Sequence, residues 1–111
     1  MEIKTEGDIT VAFIVPRFDA YFANEIDSAL RELITKGSKK IICDFSQTDY
    51  VASAGLRVLL SAAKSLQKIG GQIVMASLKP YVYEVFEISG FTQLFKIFSS
   101  QSEAIQALNK P

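Results

Sequence analysis

Histidine and tryptophan are absent from the 111 residues, and cysteine occurs once. Without histidine the chain cannot assemble Ser-His-Asp or Cys-His catalytic arrangements, and it forgoes the commonest zinc ligand. A single thiol excludes an internal disulfide. Cys43 lies in the apolar segment Lys39-Lys40-Ile41-Ile42-Cys43-Asp44-Phe45, where a buried, structural role is expected. Neither sign of charge is in excess: 12 basic and 12 acidic side chains give a formal net charge of zero. There is then no overall cationic field to gather nucleic acid or an anionic membrane. No apolar stretch approaches the roughly 20 residues needed to cross a bilayer. The N-terminal segment has neither the basic start nor the apolar core of a secretory signal, so a cytoplasmic location is expected. Neither G-x-x-x-x-G-K-[ST] nor G-x-G-x-x-G occurs, which leaves no nucleotide-binding signature, and no metal site or cofactor is expected.

Apolar residues make up 49% of the chain, a composition that supports one core in one domain spanning residues 1–111. The pattern along it alternates between two periods. Glu2–Thr5 and Ile9–Val15, separated by Glu6-Gly7-Asp8, read as an antiparallel hairpin whose second strand is apolar on both faces. Phe22, Ile26, Ala29, Leu30, Leu33 and Ile34 then follow helical spacing up to Lys36-Gly37. Lys40–Phe45 reads as a buried parallel strand, and Leu56, Leu59, Leu60, Ala63 and Leu66 mark a second helix ending at Ile69-Gly70-Gly71. Gln72–Leu78 is a further strand, Pro80 opens a third helix, Phe95–Phe98 gives a short last strand, and Ser102–Lys110 a closing helix. This order, β-β-α-β-α-β-α-β-α, predicts an α/β fold in which about four helices flank a mixed, mostly parallel sheet.

The segment most informative about function runs from Asp44 to Leu60, out of a strand and into a helix. Ser53 stands just before the apolar helical period, where a serine is expected to be the N-cap. The same place suits a phosphoacceptor, because unpaired N–H groups and the positive end of the helix dipole favour added negative charge. Asp44-x-Ser46, a polar and aromatic connector, and Ser53-Ala54-Gly55-Leu56 leading into a Leu/Val-rich helix resemble the STAS domains of anti-sigma factor antagonists. The Phe18-Asp19-Ala20 turn and the stretch from Ile69-Gly70-Gly71 to Leu78-Lys79-Pro80 extend the resemblance over almost the whole chain.

The resemblance implies a switch protein rather than an enzyme. Its partner would be an anti-sigma factor serine kinase that phosphorylates Ser53, with a serine phosphatase as a further partner. The implied contact surface comprises Asp19, Tyr50, Ala52, Ser53, Ala54, Gly55 and Arg57. Family members commonly carry aspartate immediately before the phosphorylated serine, whereas this chain has Ala52. That departure keeps a second reading open, a STAS scaffold or ligand-sensing module that is not phosphorylated. Among partners, a second copy of the chain in a weak homodimer is also admitted. A serine hydrolase is disfavoured, because Val51 stands where G-x-S-x-G requires glycine and no histidine can activate the hydroxyl. Phe86, Phe91, Phe95 and Phe98 are expected in the core or at a self-contact, and Lys36, Lys39 and Lys40 as solvated residues flanking a strand.

Overall fold

The structure is a computed structural model and describes residues 1–110. Strands β1 (Glu2–Glu6) and β2 (Ile9–Phe13) form the expected hairpin, with Glu6 opposite Ile9. After a short strand β3 (Arg17–Phe18) come α1 (Ala20–Thr35), β4 (Lys40–Asp44), a second short strand β5 (Tyr50–Val51) and α2 (Ser53–Lys68). The chain continues through β6 (Gln72–Ala76), α3 (Pro80–Ile88), a 3₁₀ turn (Phe91–Gln93), β7 (Ile97–Phe98) and α4 (Gln101–Asn109). The main sheet has the order β1-β2-β4-β6-β7; all its pairings are parallel except the β1–β2 hairpin. The sequence-predicted α/β class and its four helices are therefore observed.

Alternation within the strands sends each to two different cores. Ala12, Ile41, Cys43, Ile73 and Met75 face the side covered by α1, α2 and α3, against Ile26, Leu30, Leu59, Leu66, Val82 and Phe86. Ile9, Val11, Ile42, Val74 and Ala76 face the other side, under Ala104 and Leu108 of α4. Burial on both faces is why these strands read as nearly continuous apolar runs. Burial, and secondarily the charge of Asp44, pushes the Cys43 thiol up to about 12, which leaves it un-ionised at neutral pH.

Helices α1 and α2 stop by the same device. In α1 the Gly37 N–H donates to the Ile34 carbonyl and the Ser38 N–H to Leu33; in α2 Gly70 donates to Gln67 and Gly71 to Leu66. These are paired Schellman bonds, and they place Gly37 and Gly70 at φ 104° and 74°, where a side chain would be strained.

Several strand bounds differ from those expected: β4 ends at Asp44 rather than Phe45, and β6 at Ala76 rather than Leu78. β2 ends at Phe13 rather than Val15, because Pro16 has no N–H and the carbonyls ahead of it are taken by side chains. Thr48 Oγ1 donates to the Ile14 and Val15 carbonyls at 3.2 and 2.9 Å, and Gln47 Nε2 donates to Ile14 at 3.0 Å. β7 begins at Ile97, since Phe95 is drawn into an aromatic stack with Phe91, their ring centroids 5.6 Å apart. Phe86 joins that stack through Phe91, but Phe98 packs on the opposite face of the sheet beside α4. Of the lysines, Lys36 pairs with Glu32 and Lys40 with Asp8 on the surface.

Candidate functional site

The site is organised by the two short strands that the sequence did not disclose. β3 and β5 pair in parallel, Arg17 with Tyr50 and Phe18 with Val51. The N–H groups of Asp49 and Tyr50 donate to the Pro16 carbonyl, and Ala52 N–H donates to Phe18 at 3.0 Å. Because β3 leads directly into α1 and β5 into α2, this pairing sets the N-termini of the two helices side by side. The interval is closed by Gly55 in the first turn of α2, which lies against the fully buried Phe18.

The connector that delivers β4 to β5 is fixed at its start by Asp44. This buried carboxylate accepts from the Ser46 N–H at 2.8 Å and, through its second oxygen, from the Gln101 side-chain amide at 2.8 Å. The Asp44-x-Ser46 spacing is thus an Asx turn, in which a short side chain replaces a backbone acceptor and redirects the chain. Downstream, Thr48 is fully buried through the bonds described above, and Asp49 joins Lys79, just ahead of α3, at 2.6 Å. The connector is held at several points along its length.

Asp19 is the N-cap of α1, its Oδ1 accepting from the Tyr21 N–H at 3.1 Å, while Oδ2 lies 3.5 Å from Arg17 Nε. The Arg17 guanidinium sits 4.7 Å from the centre of the Tyr50 ring, a cation–π contact. Asp19, Arg17 and Tyr50 therefore form one connected group between the helix starts. Tyr21 is 83% exposed, its ring edge-on to Phe22. Arg17, Tyr21 and the Asp49–Lys79 pair were not singled out from sequence, because nothing in a single exposed tyrosine or arginine distinguishes it before the tertiary pairing is known.

Ser53 is exposed, but it is not the N-cap that its position suggested. It is the first residue of α2, and the cap is Ala52, whose backbone is extended (φ −98°, ψ 171°) and whose methyl group accepts nothing. The helix begins one residue earlier than expected because Ala52 supplies the first helical carbonyl, accepting from Leu56 N–H at 3.1 Å. Ala54 is half-buried against the core, Gly55 is buried, and Arg57 is exposed one turn beyond Ser53. The residue preceding the serine is therefore the capping position of α2, where an aspartate would accept from a first-turn N–H. Ala52→Asp is expected to raise the unfolding free energy by about 1 kcal/mol, the usual worth of such a cap. Urea unfolding of both proteins measures it; an unchanged midpoint would mean that the first N–H groups of α2 are already satisfied.

Among the described residues, no group of three His, Cys, Asp or Glu side chains is placed to hold a metal ion, and no helix is long and apolar enough to cross a membrane. What the site offers is an accessible hydroxyl on a rigid helix start, beside a second helix start bearing exposed aromatic and paired charged groups.

Comparison with protein families matches residues 1–104 to the STAS domain. The BtrV protein of Bordetella bronchiseptica, provisionally named an anti-sigma factor antagonist, is 41% identical over 85 residues, spanning 77% of this chain and 73% of that protein. Among solved structures, a Thermotoga maritima protein given the same provisional name superposes with a TM-score of 0.91 at 22% identity, covering 98% of this chain and 94% of that one. The Bacillus cell fate determinant SpoIIAA, solved in its phosphorylated form, has a TM-score of 0.77 at 19% identity, covering 97% and 98% of the two chains.

Proposed function

Because the chain belongs to the STAS domain family, in the class of anti-sigma factor antagonists, we propose that it binds an anti-sigma factor serine kinase and that phosphorylation of Ser53 reverses the binding. The observation that carries this reading is the exposed Ser53 hydroxyl at the head of α2, within Ser53-Ala54-Gly55-Leu56 and beside the start of α1. Partner contact is assigned to Asp19, Tyr50, Ala52, Ser53 and Arg57, with the exposed Tyr21 at their edge. Tyrosine and arginine are the residue types that supply large contact area at little conformational cost. Gly55 and Ala54 act from beneath this surface by fixing its shape rather than by reaching the partner.

The kinase would transfer the γ-phosphoryl group of ATP to Ser53 Oγ, with loss of the hydroxyl proton and release of ADP. A phosphoserine carries about −1.5 to −2 charge at pH 7, so a surface that docked as a neutral hydroxyl becomes strongly anionic. The core is untouched, because Ser53 projects from it. The fold of SpoIIAA, a structural neighbour, has been solved carrying phosphate, which supports the compatibility of this architecture with modification. A serine phosphatase would restore the binding form, and the cycle is placed in the cytoplasm.

Burial narrows the choice of hydroxyl in the connector. Thr48 is fully buried with Oγ1 engaged by two carbonyls, whereas Ser46 and Ser53 are exposed. Incubation with ATP and each candidate anti-sigma kinase of the same genome, followed by mass spectrometry, is expected to find one phosphate on Ser53 and none on the Ser53→Ala variant. Phosphate on Ser46 instead would place the modified residue in the connector and overturn the assignment to Ser53. Ala52 favours one second reading, a scaffold that binds its partner without being modified; absence of phosphate with every kinase, alongside intact partner binding, would select it.

A further inference from the structure

The exposed face of α1 uses the i, i+4 spacing to join opposite charges. In α1, Asp27 pairs with Arg31 and Glu32 with Lys36, each at 2.8 Å. The Glu32–Lys36 contact holds the carboxyl below its ordinary range and the ammonium above it, through their hydrogen bond first and their Coulomb attraction second. Ser53 and Arg57 have the same spacing at the head of α2, and both are exposed. Arg57 enters no ion pair among the described residues. The group missing from the pair is an anion at position 53, which is the group that phosphorylation adds.

The chemistry of the pair favours phosphate specifically. Residues four apart on a helix have Cβ atoms about 5–6 Å apart, and the order acid first, base one turn later is the favourable one. A guanidinium presents a planar fork that can engage two phosphate oxygens at once. The other charges flanking this helix start are already matched: Arg17 with Asp19 ahead of α1, and Lys79 with Asp49 between β5 and α3. The first turn of α2 contains no acidic residue, and its cap is alanine, so a phosphate there meets no carboxylate on its own helix start.

We propose that Arg57 is the intramolecular counter-ion of phosphorylated Ser53, holding the phosphate against α2 and setting the charge that the modified face presents to a partner. This rests on the reading of Ser53 as the modified residue. By pairing with the phosphate internally, Arg57 fixes its orientation and favours its fully ionised form near neutral pH. Because the folded state then lowers the second phosphate ionisation below its unfolded value of about 6, the stabilisation is present above that pH and is lost as pH falls through the folded value.

The test installs phosphoserine at position 53 during translation, so it does not depend on any kinase. Phosphorus NMR then follows the phosphate against pH in the folded protein and in urea, for the parent sequence, Arg57→Gln and Arg57→Lys. The folded parent is expected to titrate below the urea value. Arg57→Gln should titrate about 0.2 to 0.4 pH unit higher than the folded parent, the size of an exposed i, i+4 charge pair, and Arg57→Lys should recover at least half of the difference. Coincident titrations of the parent and Arg57→Gln, or no recovery by lysine, would overturn the proposal. Failure of kinases to modify Ser53 would instead count against the phosphoswitch reading and leave this titration unaffected.

Discussion

Gly55→Ala is expected to lower the unfolding free energy by about 2 kcal/mol and to weaken partner binding at the same time. A Cβ on Gly55 would stand 2.7 Å from the Phe18 carbonyl oxygen and 2.9 Å from Cγ of the Phe18 ring. Neither neighbour can give way cheaply. The carbonyl accepts the Ala52 N–H that joins β3 to the start of α2, and the ring is fully buried. Overpacking of this kind costs about 1–3 kcal/mol and occasionally more, while alanine in place of glycine within a helix returns about 1 kcal/mol. Contact with backbone puts the clash at the upper end, so the net sign is destabilising. Relief requires α2 to move away from β3, and that movement separates the two helix starts. Urea unfolding and a binding titration on the same preparation measure both effects; an unchanged unfolding midpoint would show that the contact between Gly55 and Phe18 is not the constraint inferred here.

This contact also marks the boundary of what the sequence made legible. The long helices and the three central strands were readable because each is long enough to show its own period. Their ends were readable where Gly37 and Gly70 supply a backbone conformation that other residues avoid. β3 and β5 were not, since two residues cannot display alternation and their pairing joins positions 17–18 to 50–51. The roles that depend on that pairing were hidden with them: Arg17 over Tyr50, the engaged Asp19 carboxylate, and Gly55 against Phe18. At α2 the pattern points to the right helix start but to the wrong cap, since Ser53 is the first helical residue and Ala52 precedes it as the cap. Serine is a preferred cap, and alanine at a cap carries no compositional signature. Thr48 lies in a connector that reads as polar, and its burial and its two carbonyl partners follow only from the close approach of the segment before Pro16.

Ser53→Asp is expected to weaken binding of the partner kinase by at least tenfold, and on the order of a hundredfold where the partner surface around the hydroxyl is apolar. A tenfold loss corresponds to about 1.4 kcal/mol, which is less than the cost of stripping water from one carboxylate that finds no basic partner across an interface. Within the chain itself, the aspartate is well tolerated. It occupies the first turn of a helix that otherwise has no acidic residue there, and Arg57 follows one turn later. Stability should therefore hold or rise slightly while binding falls, a divergence that separates an interface effect from a folding defect. The aspartate carries one charge and places it closer to the helix than a phosphate would, so phosphorylated protein should bind more weakly still. Ser53→Ala, which adds no charge, should bind within severalfold of the parent. Equal affinity of the parent and Ser53→Asp, measured by isothermal titration with the same kinase preparation, would remove Ser53 from the interface and with it the proposed mechanism of release.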